Sequence, residues 1–345
     1  MRDNNWHIGL FMLAAGLLAG CSADTSEFPV ANETQEEIKI HVSSTSTTDA
    51  TRATIINDNT DLQGQDVRID AYFHGTTTNF LDGAKVSYNT VYSTWLFYET
   101  TWTHYYWPIE GSVHATAGTG AVDFVGYVPY TTPSYISNQS YTAGHPSFTA
   151  TLPITSGTPN TFDETNQSSL QEYMYAYADN QTRSTNSGVV NLQFEHPFAL
   201  VYFYLGKAKR NTTINSVTLS GLKTRGTCTF NSNSVSGTEW SSLDTEANLL
   251  ITVGKHVPAQ LNFNALIGGP YLVIPQTLSG TDNLIVNQTY NGISSTPAAT
   301  LSGTWEPGKI YSYYLDLGVD ENAILVRTTI EEWATCNYKT PIDVN

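Results

Sequence analysis

"VVNLQFEHPFALVYFYL", residues 189–205, carries the fold in miniature. Val190, Leu192 and Phe194 alternate with Asn191 and Gln193, a period of two that marks a strand with one face buried. Residues 199–205 (ALVYFYL) are a second strand candidate. Between them stands Glu195-His196-Pro197, and a proline removes a ladder donor and bends the path. The stretch reads as one strand series ending, a seam, and another series beginning.

Working outward toward the N-terminus, strand candidates recur with turn residues between them. They are 121–128 (AVDFVGYV), 101–107 (TWTHYYW), 95–99 (WLFYE), 86–92 (VSYNTVY), 67–73 (VRIDAYF) and the alternating Ile38-Lys39-Ile40-His41-Val42. Residues 129–165 are rich in Pro, Ser, Thr and Asn and read as a large loop. Residues 167–178, around "LQEYMYAYA", suit a short helix or a strand. Toward the C-terminus the candidates are 199–205, 214–222, 249–253, 271–275, 283–287, 310–317 and 324–330. No long amphipathic helix interrupts either series. Two tandem β-sandwiches, 53–195 and 196–345, are the economical reading of this all-β pattern.

Composition agrees. Thr, Ser, Asn, Tyr and Gly are abundant, and only 13% of residues are charged. Fifteen Lys and Arg face thirty-one Asp and Glu, for a net charge of −16. A chain so acidic, without a basic run, is a poor partner for nucleic acid, whose binding needs clustered Lys and Arg.

The N-terminus predicts a route. Residues 8–19 are almost wholly apolar. A helix rising 1.5 Å per residue covers roughly 18 Å with them, short of a bilayer core of about 30 Å. A signal-peptide core fits better than a transmembrane span. It ends in Leu18-Ala19-Gly20-Cys21, which resembles a bacterial lipobox, with residues 1–20 as the signal peptide and Cys21 as the acylated N-terminus. Ser22 after the cysteine points, by lipoprotein analogy, to the outer membrane. Residues 22–37 then read as a polar tether and residues 43–52 (SSTSTTDATR) as a low-complexity tract.

Chemistry is sparse. HExxH, GxSxG, P-loop and GxGxxG motifs are absent, the eight histidines are scattered, and no metal or cofactor is expected. Asn57 to Asp61 lacks the glycine and terminal glutamate of a calcium loop and reads as a turn. Cys228 and Cys336 are either one disulfide or two buried thiols. The aromatic residues between Tyr92 and Trp107 either fill a core or stack sugar rings, with Trp95, Trp102 and Tyr106 the candidate ligand aromatics. Arg52, one of seven arginines, sits in the exposed tract where proteases cut. It is either a cleavage site before Ala53 or a solvated linker residue.

In combination these features resemble the fimbrillin-like (Mfa-like) family, the subunits of type V pili. The resemblance rests on the lipobox at Cys21, "TRAT" (51–54), "VRIDAYF" (67–73), Trp102 to Pro108, "VDFVGYVPY" (122–130) and "FEHPFALVYFYL" (194–205). It continues through "IPQ" (274–276), "GKIYSYYLDL" (308–317) and "IEEW" (330–333). It implies two transthyretin-like β-sandwiches, outer-membrane export as a lipoprotein and cutting by an Arg-specific protease at Arg52–Ala53. Loss of the segment 21–52 would take away a first strand carrying Ile38, Ile40 and Val42, and a neighbouring subunit would fill the groove. The alternating Ile324, Val326, Thr328 and Ile330 are a candidate donor strand, or else an in-domain strand as in a tip subunit. The contrasting reading is a non-polymerising surface lipoprotein that holds glycan on its aromatics.

Overall fold

A computed structural model describes residues 36–44, 55–56, 58–98, 100–108, 120–142, 144–209, 211–231, 237–256, 264–317 and 324–333. The signal-peptide and lipobox residues with Cys21, the scissile pair Arg52–Ala53, and Cys336 lie outside the described residues.

Before the seam the strands are β1 (Lys39–Ser44), β2 (Val67–Phe73), β3 (Asn79–Asn89), β4 (Thr94–Phe97) and β5 (Val122–Val128). Next come β6 (Ile136–Thr142), β7 (His145–Thr151), β8 (Thr161–Asp163), β9 (Met174–Gln181) and β10 (Val189–Phe194). Two short helices, α1 (Asn59–Gln63) and α2 (Glu164–Ser168), lie among them. After the seam follow β11 (Ala199–Lys207), β12 (Thr212–Phe230), β13 (Thr238–His256), β14 (Ala265–Val273), β15 (Thr277–Leu278) and β16 (Leu284–Tyr290). The series closes with β17 (Ile293–Ser295), β18 (Ala298–Ala299), β19 (Gly303–Thr304), β20 (Lys309–Leu317) and β21 (Ile324–Glu332). The protein is all-β, with its sheets packed as sandwiches.

A seven-stranded sheet runs β10-β1-β4-β3-β2-β5-β9. Its two ends meet, because Tyr175 and Glu195 form a β-bridge in which the Glu195 N–H reaches the Tyr175 carbonyl at 2.8 Å. The sheet is therefore rolled around its own core of Ile40, Val67, Ile69, Phe124, Leu192 and Phe194. Gly126 in β5 makes the roll possible: a Cβ there would stand 2.8 Å from the Phe194 ring across the interior.

The second core lies between a four-stranded sheet, β14-β11-β20-β21, and an eight-stranded one built on β17-β16-β12-β13-β8. Phe203, Tyr311, Tyr313 and Leu315 join Val217, Leu219, Leu249, Ile251 and Val286 in that core. Strands β6 and β7 attach to the larger sheet through β7–β12 pairing, so hydrogen bonding crosses the Glu195-His196-Pro197 seam. Tyr127, Tyr173 and Tyr175, on strands or turns of the rolled sheet, belong to this second core as well.

Several expectations need correction. Residues 129–165 are not a loop, for they hold β6, β7 and β8. Phe148, Ala150 and Leu152 are buried, and the intervening Thr149 and Thr151, β-branched strand formers, hide the alternation behind a turn-like composition. The reverse holds for 101–107, which makes only isolated bridges at Trp102 and Tyr106. Strands 214–222 and 249–253 extend into a 19-residue pair, β12 and β13. Its outer ends read as polar because Lys223–Glu246 and Arg225–Asp244 ion pairs decorate the wet face. Residues 58–63 are a capped helical turn, with the Asp58 carboxylate accepting from the Thr60 and Asp61 N–H groups at 2.7 and 2.8 Å. Cys228 is a free thiol, fully buried, and burial pushes its pKa well above the ordinary value.

Candidate assembly site

Strand β1 is a stave in the rolled sheet. It runs parallel to β10, from Lys39 opposite Val189 to Ser44 opposite Phe194. On its other side Ile40 pairs antiparallel with Trp95 of β4. The alternation seen in the sequence is realised in space: Ile38, Ile40 and Val42 are 2, 5 and 5% exposed, whereas Lys39 and His41 face solvent. Burying three such side chains contributes about 5–8 kcal/mol before entropy.

Both ends of β1 are pinned. Upstream, Ile38 donates to the Tyr105 carbonyl at 2.8 Å and Trp107 donates to the Glu36 carbonyl at 2.9 Å. His104 lies 2.6 Å from the Glu37 carboxylate, and Arg183 lies 3.8 Å from that of Glu36. These are exposed pairs and steer more than they stabilise. Downstream, the Ser44 N–H donates to the Asn59 side chain at 2.7 Å. Apart from β1, the sheet has two strands, β10 and β4, on either side of a slot one strand wide. With neighbouring strands about 4.8 Å apart, the slot is roughly 10 Å across.

The chain is anchored again at Ile55-Ile56. Ile56 is buried in the rolled core, while Ile55 packs against the second core. The Ile56 N–H donates to Glu172 Oε2 at 2.7 Å, and the other Glu172 oxygen is hydrogen-bonded to His196 Nδ1. Glu172 and His196 are almost fully buried, and the His196 ring stacks on Trp333 at 4.1 Å. Beside this junction opens a cleft of about 260 Å³, lined by Ile55, Glu164, Ser168, Glu172, Pro270 and Tyr271, among others.

The candidate donor residues share one face of β21. Ile324, Val326, Thr328 and Ile330 pair with Leu317, Leu315, Tyr313 and Tyr311 of β20. Burial fades along this face, from 9% exposure at Ile324 to 59% at Ile330. Here β21 is an in-domain strand at the edge of its sheet. Of the candidate ligand aromatics, Trp95 must be withdrawn: it is 5% exposed and packs edge-on against Tyr88, beside β1 in the same sheet. Trp102 and Tyr106 are both 43% exposed. Trp102 meets the Tyr98 ring at 4.7 Å, and the Lys85 ammonium stands over Tyr98 and Tyr130 at 5.5 and 5.7 Å. Among the described residues no cluster of His, Cys, Asp and Glu is placed to hold a metal, and no helix is long and apolar enough to cross a membrane.

The profile of the fimbrillin-like family matches residues 51–333, nearly the whole of the described chain. The chain belongs to the fimbrillin-like family. Its fold resembles that of a fimbrial protein from Bacteroides vulgatus, 15% identical, with a TM-score of 0.54 over 86% of this chain and 99% of that one. Also similar is a candidate cell adhesion protein from Bacteroides uniformis, 17% identical, with a TM-score of 0.46 over 86% and 99% of the two chains. A tip fimbrial protein from Porphyromonas gingivalis is 11% identical, with a TM-score of 0.36 over 78% and 94%. No curated protein sequence matches the chain. Sequence reasoning missed Glu172, His196 and the cleft, because their parts come from segments around 55, 164–172, 196 and 269–272 that only the fold brings together.

Proposed function

We propose that this fimbrillin-like protein is a structural subunit of a type V fimbria, exported as a lipoprotein anchored through Cys21 to the outer membrane. Cleavage between Arg52 and Ala53 frees the segment 21–52 from two sandwich domains, 53–195 and 196–345. Subunits then join by strand exchange and the fibre serves adhesion; no catalytic step is assigned. The observation that supports this reading is the placement of β1. It is an N-terminal strand held between two others, β10 and β4, and its three buried side chains come from a segment that a single cut would detach. The vacated slot offers main-chain groups on both sides and apolar pockets at alternate positions, the requirements of strand addition. Strand β21, with Ile324, Val326, Thr328 and Ile330 on one face and, among the described strands, at the outer edge of its sheet, is the candidate donor.

Arg52→Ala is expected to leave surface protein with residue 21 at its N-terminus and no polymer, whereas the unsubstituted chain begins at Ala53. N-terminal sequencing and electron microscopy of the same cells decide it. Normal fimbriae on the variant would end the processing idea. A glycan-holding surface is a second reading, supported by the half-exposed Trp102 against Tyr98 and Lys85. On that reading Trp102→Ala abolishes binding on a glycan array, at unchanged thermal stability. Equal array signals from both proteins would dismiss it.

A further inference from the structure

Strand β21 is held into the core at its two ends and scarcely between them. It pairs with β20 along one side, and among the described strands nothing pairs with the other. Ile324 at its start is 9% exposed, and from Leu325 to Glu332 no side chain is buried, Val326 alone being half-covered. The residue that follows, Trp333, is 1% exposed and, with Trp305, the largest fully buried side chain described. An edge strand with so few buried contacts opens locally with ease, so what fixes its end decides how often it leaves.

Trp333 rests on a prepared platform. Its backbone N–H donates to the Gly308 carbonyl, and the Gly308 N–H donates to the Phe198 carbonyl, both at 2.9 Å. Its indole lies flat on the His196 ring, with centroids 4.1 Å apart and planes 8° from parallel. That ring is held in orientation from below. Its Nδ1 is bonded to the buried Glu172 carboxylate, which also accepts from the Ile56 N–H.

The same seat carries a cost. Among the described residues two buried side-chain polar atoms have no hydrogen-bond partner, His196 Nε2 and Trp333 Nε1, and they belong to the two stacked rings. A buried tryptophan N–H ordinarily finds an acceptor, and an orphaned polar atom costs stability that water would return. Buried area and stacking hold the indole in place, while both ring nitrogens favour its departure. The ion pairs of β21 with β20, Arg327 with Asp316 and Lys309 with Glu332, each have an exposed member and cannot replace the indole as a fastening.

We propose that Trp333 seated on His196 is the latch of β21, and that withdrawal of the indole frees the strand from its C-terminal end for pairing with a second copy of the chain. The inference rests on the reading of β21 as the donor strand. It adds which contact keeps the donor in its own sheet, and why that contact is poised to open.

Hydrogen–deuterium exchange of the uncut monomeric chain, read by mass spectrometry on peptides covering β21, tests the latch. Trp333→Ala is expected to raise the exchange rate of residues 327–332 at least tenfold, with β5 and β9 unchanged. Trp333→Phe, which keeps a ring on His196 and removes one orphaned N–H, is expected to exchange no faster than the unsubstituted chain. Ile324→Ala, at the other end of the strand, is expected to loosen residues 324–326 alone. Exchange in Trp333→Ala at the unsubstituted rate overturns the proposal, as do β5 and β9 accelerating together with β21. Tenfold faster exchange in Trp333→Phe overturns it independently of whether Trp333→Ala folds. The donor reading answers to a separate measurement. Trp333→Ala protein that exchanges fast at β21 yet forms no complex, in size-exclusion chromatography, with chains stripped of residues 21–52 refutes β21 as donor and leaves the latch in place.

Discussion

Once nicked after Arg52 and stripped of its N-terminal segment under mild denaturant, the protein is expected to return as oligomers or aggregate, and not as a stable monomer. The slot loses Ile38, Ile40 and Val42, whose burial contributes about 5–8 kcal/mol. It also loses six paired positions along β10. A whole domain is stable by only about 5–15 kcal/mol, so the open form stands near the edge of unfolding. Two unpaired strand edges and an apolar floor are, in addition, a template for association. Trp95, 5% exposed and the cross-strand neighbour of Ile40, becomes wet, and the tryptophan emission shifts to the red. Adding a peptide of residues 36–44 (EEIKIHVSS) restores the monomer and the blue emission, and the same peptide with Ile40→Asp does not. Size-exclusion chromatography and fluorescence read both effects. A stripped chain that remains monomeric, with native emission and an unchanged denaturation midpoint, would show that β1 is not integral to the sheet. Strand exchange would then lose its driving force.

Much of this architecture is legible in the sequence wherever one face of a strand is wet. Residues 67–73 and 189–194 are strands with the bounds their alternation predicts, and 38–42 differs by only a residue or two from β1. Legibility fails where the apolar face is made of small or hydroxylated side chains. In β7 the core contacts come from Phe148 and Ala150, while Ser147, Thr149 and Thr151 look like loop chemistry. It fails again in the outer half of the β12–β13 pair, where charged residues pair across the strands. Pairing partners are illegible throughout: nothing in "IKIHV" says that its neighbours are 150 residues away in β10 and 55 away in β4. The same limit hides the Ile56–Glu172–His196–Trp333 junction, whose members are unremarkable in their own segments.

Alkali is expected to unfold the protein steeply once the pH passes 10. Four tyrosines at the junction of the rolled sheet and the second core, Tyr127, Tyr135, Tyr173 and Tyr175, are no more than 6% exposed. Burial raises the pKa of each above the ordinary value of 10. Tyr72, stacked on Tyr141 at 4.1 Å, is pushed up to about 12, again chiefly by burial. The sign follows directly. Below pH 10 both the folded and the unfolded chain keep these protons, and stability is unaffected. Above it the unfolded chain releases them while the folded chain holds them, so stability falls until the folded values are reached. Each group forfeits about 1.4 kcal/mol per pH unit, and the four together about 5–6 kcal/mol per unit. Against a domain stability of about 5–15 kcal/mol, unfolding follows within one to three units. Tyrosinate absorbance and circular dichroism should therefore change together, in one cooperative step above pH 10. Tyr127→Phe, which removes one ionisation from the stacked pair with Tyr173, should move that step to higher pH. Tyrosinate absorbance that climbs at pH 10 for all 21 tyrosines while the circular dichroism stays native would mean that these rings are wet. The rolled sheet and the eight-stranded sheet would then not share the aromatic seam that Tyr127 and Tyr175 form with Phe230 of β12.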